Sequence, residues 1–255
     1  MTAAARQTPS WWWPGQISAL DVATIREDGP DESNEDHVSN AWATICNRYF
    51  YDVFVPPNYR YIVRSGSCHG QGRPSEVRPD ILVIRITMAM APPGPYPHGI
   101  YRDCVWIECK APNLDLPRGW RLVMKQAITR LKVAHPNRRL YLLLAIGLRW
   151  MMFVWDPTVQ RDQNTPLLEI VTADAQETWS VDSRVYHIHG ERYMTQAVDG
   201  RMMIHTDRAH TLNYWDLDAH GNPIHLASLQ RIEWYFDDIK RNPSQFPGAN
   251  SDRDR

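Results

Sequence analysis

Residues 79–84 read Pro-Asp-Ile-Leu-Val-Ile, and residues 105–110 read Val-Trp-Ile-Glu-Cys-Lys. Each stretch joins a short apolar run, rich in β-branched residues, to charged residues at one end, which is typical of buried strands. The intervening residues 91–97 contain four prolines and a glycine, which end strands and form turns. The pattern therefore predicts a β-hairpin made of strands Asp80–Met90 and Tyr101–Ala111.

The register of this hairpin brings charged residues together at its open end. If Gly94 is the midpoint of the turn, Asp80 lies directly opposite Glu108. Side chains alternate along a strand, so Glu108 and Lys110 share a face, and Asp80 can share it too. Polar groups at the end of apolar strands cost folding free energy unless they are paired or hold a cation. Carboxylate oxygens suit Mg²⁺ or Mn²⁺, so the register predicts a metal site at Asp80 and Glu108, with the backbone carbonyl of Cys109 as a further ligand.

Lysine is scarce in this chain, which makes Lys110 informative. Only four of the 28 basic residues are lysines. A lysine offers a titratable ammonium that an arginine does not. We expect Lys110 to orient or help deprotonate a water molecule and to offset the charge of a phosphate.

Two helices are predicted to add polar groups to the site. Ser33 and Asp36 have capping-box spacing and predict a helix from Ser33 to about Phe50. Glu35 falls inside the apolar stripe of that helix and is a candidate ligand of a second metal ion or a water-mediated metal ligand. Gln126 lies at the edge of the apolar face of a second helix, Pro117–Ala134. It is interpreted either as a contact to the metal-bound water or nucleic acid, or as a rim glutamine without a role.

These residues resemble a known motif. Pro79-Asp80 followed by Glu108-Cys109-Lys110 is similar to the motif of the PD-(D/E)XK, or restriction-endonuclease-like, nuclease superfamily, over roughly residues 33–156. The resemblance implies that Asp80 and Glu108 bind a divalent metal and that Lys110 assists the attacking water. A glutamate on the first helix and a glutamine on the second recur in that family, at places matching Glu35 and Gln126. The segment between the two acids is longer than is typical.

The predicted fold class is α/β, with a restriction-endonuclease-like core in which a central mixed β-sheet is flanked by helices. The core spans residues 33–156 and is followed by a C-terminal α+β extension, residues 157–241, which ends in a helix over Leu226–Arg241. Together they form one domain, residues 31–241, between an N-terminal arm, residues 1–30, and a disordered tail, residues 242–255. The Trp11-Trp12-Trp13 block of the arm is interpreted either as packing on the core or as a protein-binding segment.

Several classes of protein are disfavoured by composition. No apolar run is long enough for a membrane helix, and no secretory signal is visible. The four cysteines form no C-x-x-C pair, which favours buried thiols over a zinc site or disulfide framework. We therefore expect an intracellular protein, nuclear or cytoplasmic. Asp238-Ile239-Lys240 repeats the acid-x-Lys pattern but lies on a predicted helix, where its acid and lysine do not share a face.

The resulting hypothesis is a Mg²⁺- or Mn²⁺-dependent nuclease that hydrolyses phosphodiester bonds, with DNA expected over RNA. Arginines around residues 60–78 and 130–139 are candidates for a phosphate path. One alternative keeps the fold as an inactive module that binds nucleic acid or protein, with Asp80, Glu108 and Lys110 as an ion-paired strand end. Another is an interaction protein that uses the Trp11–Trp13 arm and the acidic stretch Asp28–Asp36. The net charge of −1 does not decide between them.

Overall fold

The computed structural model describes residues 10–50, 59–66, 78–89, 98–157, 168–171, 178–182, 184–187, 191–196, 198 and 202–241. The helices in these ranges are α1 (Ile17–Asp28), α2 (Asp36–Phe50), α3 (Pro117–Ala134) and α4 (Leu226–Arg241). The strands are β1 (Tyr59–Ser65), β2 (Ile81–Ala89), β3 (His98–Lys110), β4 (Leu140–Ile146), β5 (Arg149–Trp155), β6 (Leu168–Val171), β7 (Thr178–Ser180), β8 (Val185–His187), β9 (Met194–Gln196), β10 (Met202–His205) and β11 (His210–Thr211).

The main sheet is mixed. Its strands run in the order β1-β2-β3-β4-β5-β11, and β8 pairs with the other end of β5. β3 and β4 are parallel and are joined through α3, whereas the remaining pairs in this sheet are antiparallel. The expected α/β class, with a central mixed sheet between helices, is confirmed at this level.

Residues beyond 157 contribute to both the main sheet and a separate one. A four-stranded sheet has the order β7-β6-β10-β9. β8 and β11 instead extend the main sheet, and residues of α4 belong to its hydrophobic core. The predicted α+β extension therefore supplies two strands of the main sheet and one helix of its hydrophobic core. The tip of the hairpin, the tail 242–255 and residues 1–9 lie outside the described residues.

Two hydrophobic clusters cover the two faces of the main sheet. α1, α2 and α4 pack on one face, where Trp42 of α2 contacts Trp150 edge to face, with ring centroids 6.0 Å apart. α3 packs on the other face through Trp120, Val123 and Leu131. Both faces of the central strands are buried, which explains why β4 is apolar at every position.

The N-terminal segment is part of this core. Trp11 and Trp12 are buried, and only Trp13 of the three tryptophans is exposed. The packing interpretation of the block therefore holds for Trp11 and Trp12. α1 was not predicted, because its buried Ala19, Val22 and Ile25 are interspersed with exposed Ile17 and Leu20.

The predicted start of the next helix is wrong. α2 begins at Asp36, not at Ser33, and its first helical hydrogen bond runs from Ser39 N to Glu35 O at 3.0 Å. Asp36 N donates to Asn34 Oδ1 at 2.9 Å, so Asp36 and Ser33 do not form the predicted capping box. Glu35 is consequently at the N-cap position, outside the helical stripe in which it was placed.

Within the described residues, no helix is both long and apolar enough to cross a membrane.

α3 is held close to the chain that follows β3 by a glycine. A Cβ atom at Gly119 would lie 1.8 Å from the carbonyl oxygen of Leu114, in the 3₁₀ turn Pro112–Leu114. Such a distance is impossible without moving the backbone. Only glycine lets the first turn of α3 approach this turn so closely.

We expect Gly119→Ala to lower the free energy of unfolding by roughly 1–3 kcal/mol, because the clash exceeds the gain in helix propensity. Thr129→Ala, on the exposed face of the same helix, is the matched control and should change it by no more than about 0.5 kcal/mol. Urea unfolding measures both. An unchanged or increased stability of Gly119→Ala would show that the close approach is absent.

Candidate active site

The site lies at the open end of the β2–β3 hairpin. Ile81 pairs with Ile107, and Asp80 N donates to Ile107 O at 3.2 Å. This end keeps the register that was predicted from Gly94. A bulge between Val83 and Ile84 shifts the remaining pairs, so that Ile84 lies opposite Asp103. The bulge falls on the tip side of the paired residues and leaves the open end unchanged.

The carboxylate of Asp80 is bound to the backbone of β3. Its Oδ2 accepts a hydrogen bond from Cys109 N at 2.6 Å. Burial raises the pKa of Asp80 and is the largest influence, although the Cys109 N–H and Lys110 act in the opposite direction. The side chain is therefore anchored beside Glu108 in a partly desolvated position.

Glu108 is fully buried and has two hydrogen-bond donors. Oε1 accepts from Trp106 Nε1 at 2.7 Å, and Oε2 accepts from Arg130 Nη1 at 2.5 Å. Burial raises the pKa of Glu108 to about 7, even though Arg130 lowers it, and the nearby charge of Asp80 raises it further. The charge of Asp80 is thus close enough to disfavour the ionised form of Glu108.

Lys110 and Glu35 form an ion pair at the rim of the site. Lys110 Nζ lies 2.8 Å from Glu35 Oε2, and the lysine side chain is only 14% exposed. Glu35 is 48% exposed, so its expected position on the buried face of α2 is wrong. Its carboxylate still reaches the site, because the N-terminus of α2 lies beside the end of β3.

Gln126 joins the site through an arginine. In the amide orientation that suits its neighbours, Gln126 Oε1 accepts from Arg130 Nη2 at 2.6 Å. Arg130 is one helical turn further along α3 and holds Glu108, so the Gln126 amide, Arg130 and Glu108 form one chain of contacts. The glutamine contacts the arginine, not Asp80 or Glu108 directly.

Arg130 and Trp106 are the residues of the site that sequence reasoning missed. Arg130 was grouped with the phosphate path, and Trp106 was taken as a core residue. The available signal was spacing: Trp106 is two residues before Glu108 on the same strand face, and Arg130 is four residues after Gln126 on one helix face.

Cys109 contributes its backbone. Its thiol is buried on the α2 side of the sheet, and burial raises the pKa of the thiol well above its ordinary value. Its N–H points to Asp80. The N–H and C=O of a strand residue point to the same neighbouring strand, so the Cys109 carbonyl also points toward the Asp80 side of β3.

The fit of a divalent cation depends on this donor set. Among the residues that the structure describes, no three His, Cys, Asp or Glu side chains gather into a metal-binding group. Mg²⁺ needs only one or two carboxylates and keeps several waters, so Asp80, Glu108 and a backbone carbonyl are a sufficient set. A cation would relieve the repulsion that the charge of Asp80 exerts on the buried Glu108 carboxylate. Each Glu108 oxygen also has a second lone pair beyond its present contact.

The raised pKa of Glu108 predicts a pH-dependent stability. The folded state, with a pKa of about 7, binds this proton more tightly than the unfolded chain, with a pKa of about 4.5. The stabilisation is complete below the lower value and is lost as pH rises through the higher one, by about 3 kcal/mol in total. Glu108→Gln imitates the protonated acid and should remove this loss.

In chelator, we expect Glu108→Gln to match the parent protein at pH 4.5 and to exceed it in unfolding free energy at pH 8. Urea unfolding at several pH values measures the difference. A difference between the two proteins that stays constant from pH 4.5 to pH 8 would contradict the buried ionisation of Glu108.

Comparison with known proteins adds no assignment to this geometry. Searches against protein-family models, curated proteins and solved structures gave no match for this chain. The resemblance to the PD-(D/E)XK superfamily therefore rests on the residues and strands described above and stays a prediction. The observed architecture is an α/β fold with a mixed sheet between helices, and the candidate site lies at the end of its β2–β3 pair.

Proposed function

We propose that this chain is a metal-dependent nuclease that hydrolyses phosphodiester bonds, with DNA as the favoured substrate over RNA. The supporting observation is the convergence of two carboxylates and a lysine at the end of β2 and β3. Asp80 is bonded to the Cys109 N–H, Glu108 is buried beside it, and Lys110 is held at the rim by Glu35. This is the arrangement that the PD-(D/E)XK resemblance implies.

Each side chain has a distinct proposed role. Asp80 and Glu108 hold a Mg²⁺ or Mn²⁺ ion, which supplies a Lewis acid for the phosphate and lowers the pKa of a water molecule. Lys110 donates to the attacking water or to a phosphate oxygen. Glu35 positions the Lys110 ammonium, and Gln126 and Arg130 hold the Glu108 carboxylate in place.

A basic helix beside the site supports nucleic acid as the substrate. α3 carries five basic residues and no acidic one, whereas α1, α2 and α4 all contain acidic side chains. Arg118 and Lys125 are exposed and lie one above the other on the solvent face of α3. Arg130, on the same helix, reaches Glu108. A phosphate backbone lying along α3 would meet cations on its way to the site.

One observation favours the alternative, an inactive nuclease-like module that binds nucleic acid or protein. Both oxygens of Glu108 already have donors, Trp106 and Arg130. Arg130 supplies the positive charge that a metal would otherwise bring. Calorimetry with Mn²⁺ separates the two functions. A catalytic site binds the ion in the parent protein and not in the Glu108→Ala variant, whereas an inactive module binds none in either protein.

The proposed function predicts cleavage that depends on both Lys110 and a divalent ion. Labelled single- and double-stranded DNA and RNA, incubated with Mn²⁺, should be cut by the parent protein and not in chelator. Lys110→Ala and Asp80→Asn should each lower the rate about a hundredfold or more, as expected for the loss of proton-transfer or metal-binding groups.

Lys240→Ala is the matched control, because Asp238-Ile239-Lys240 has the same spacing on helix α4. It should cut at the parental rate. Cleavage that resists chelator, or that is equal in Lys110→Ala and Lys240→Ala, would refute the proposal.

The basic face of α3 predicts a salt-dependent affinity. Each phosphate contact contributes about 0.9 to the slope of log affinity against log salt. Arg118→Gln and Lys125→Gln should therefore each reduce the magnitude of that slope by about 1 and weaken binding equally for all sequences. Fluorescence anisotropy with labelled DNA in chelator measures it.

Arg241→Gln, an exposed arginine on α4, is the control for that measurement and should leave the slope unchanged. Equal slopes for all three variants and the parent would exclude α3 as the phosphate-binding surface.

A further inference from the structure

A cleft of about 530 Å³ opens beside the candidate site. Its walls come from the end of α1 and the loop that follows, from the residues after β3, and from the turn after β4. β3 and β4 are parallel, and ligands in α/β sheets bind outside the carboxyl ends of such strands. The volume is within the range of small-molecule sites, about 300–1,000 Å³.

The cleft and the site share the chain around Lys110. Gly147 N, in the cleft wall, donates to Lys110 O at 3.0 Å. Asn113 N, three residues after Lys110, donates to Glu32 O at 3.1 Å, which ties the wall to the segment that carries Glu35. The segment that carries Lys110 therefore continues directly into the wall of the cleft.

Gly147 allows this close arrangement. Its φ is +54°, in the left-handed region that favours glycine, and a Cβ atom there would lie 3.0 Å from Pro112 Cα. The turn after β4 therefore packs directly on the residues that follow β3, and these two segments form one wall of the cleft.

The lining combines apolar walls with balanced charge. Ile25, Leu116 and Leu148 supply apolar surface. The charged residues in the lining are Arg26, Arg149, Asp31 and Asp115, two of each sign. Arg149 is already paired with Asp115, at 3.4 Å, and burial raises the pKa of Asp115. The cleft is thus close to neutral, unlike the basic surface of α3.

Amide groups complete the lining. Asn113 and Asn213 border the cleft, and each side-chain amide offers both a donor and acceptors. Asn213 is held by Asp216: its Nδ2 donates to Asp216 Oδ2 at 2.6 Å and its Oδ1 accepts from Asp216 N at 3.2 Å, so the second N–H and the second lone pair of the amide are those available to a base. Asn and Gln amides recognise base edges by paired hydrogen bonds, and pockets for unstacked bases join such groups to apolar walls.

We propose that this cleft binds an unpaired nucleobase, presented by a nucleotide whose phosphate lies toward Lys110. The inference rests on the proposed nuclease function and assigns it a preference for unpaired or single-stranded nucleotides. A planar ring with donors and acceptors on its edge matches the apolar walls and the amides. A phosphate does not match, because Asp31 and Asp115 offset both arginines of the lining.

Calorimetry in chelator tests the inference without relying on cleavage. The probes are the four deoxynucleoside 5′-monophosphates, inorganic phosphate and a single-stranded oligonucleotide. Leu116→Trp fills the cleft from an exposed wall residue, and Asn113→Ala removes an amide at its edge. Leu20→Trp is the matched control, because Leu20 is a leucine of α1 that is 61% exposed, against 62% for Leu116, and does not line the cleft.

We expect at least one mononucleotide to bind the parent protein more tightly than phosphate does. Leu116→Trp and Asn113→Ala should weaken that binding about tenfold or more, and Leu20→Trp should not. Weaker binding of the oligonucleotide to the same two variants would place a base of the strand in the cleft. An effect on free nucleotides alone would make a mononucleotide its occupant.

Phosphate that binds as tightly as every mononucleotide, or nucleotide binding that is equal in all variants, would overturn the inference. A parent protein that cuts no nucleic acid but binds nucleotides through Leu116 and Asn113 would refute the nuclease and leave the cleft assignment standing.

Discussion

The pairing of β2 with β3 at Ile81 and Ile107 is the constraint on which the site depends. It sets Asp80 beside the N–H of Cys109 and buries Glu108 between the sheet and α3. A buried carboxylate is costly unless donors surround it, and the fold supplies Trp106 from the same strand and Arg130 from the helix. The core and the candidate catalytic centre are therefore built from the same contacts.

This arrangement couples charge at the site to the packing of three helices. α2 brings Glu35 to Lys110, and α3 brings Arg130 to Glu108. α1 reaches the same region through the cleft, whose wall includes Ile25 and Arg26. Burial raises the pKa of both Asp80 and Glu108, so a positive charge beside either carboxylate favours its ionised form, as Arg130 does at Glu108. The divalent ion of the proposed function would act in the same way on both carboxylates.

Local sequence patterns predicted a helix well where its apolar residues form one continuous face. The bounds of α3 and α4 were predicted as observed, because both helices carry a continuous apolar stripe. α1 was missed because exposed Ile17 and Leu20 interrupt its stripe. The register of the hairpin was predicted correctly between Ile81 and Val83 and fails beyond the bulge, since an inserted residue leaves no signature in the alternation of side chains.

The sequence by itself determined the register at the open end of the hairpin, where Ile81 pairs with Ile107, and from it predicted that Asp80, Glu108 and Lys110 share a face, because side-chain alternation along a strand is short-range geometry. It also determined that Asp238 and Lys240 do not, since they lie on a helix. Only the tertiary structure decided that Glu35 is exposed and still reaches Lys110, that Arg130 binds Glu108, and that a neutral cleft adjoins the site. Those contacts join residues far apart in the chain, and the packing of each helix on the sheet, which no local pattern encodes, sets which side chains reach one another.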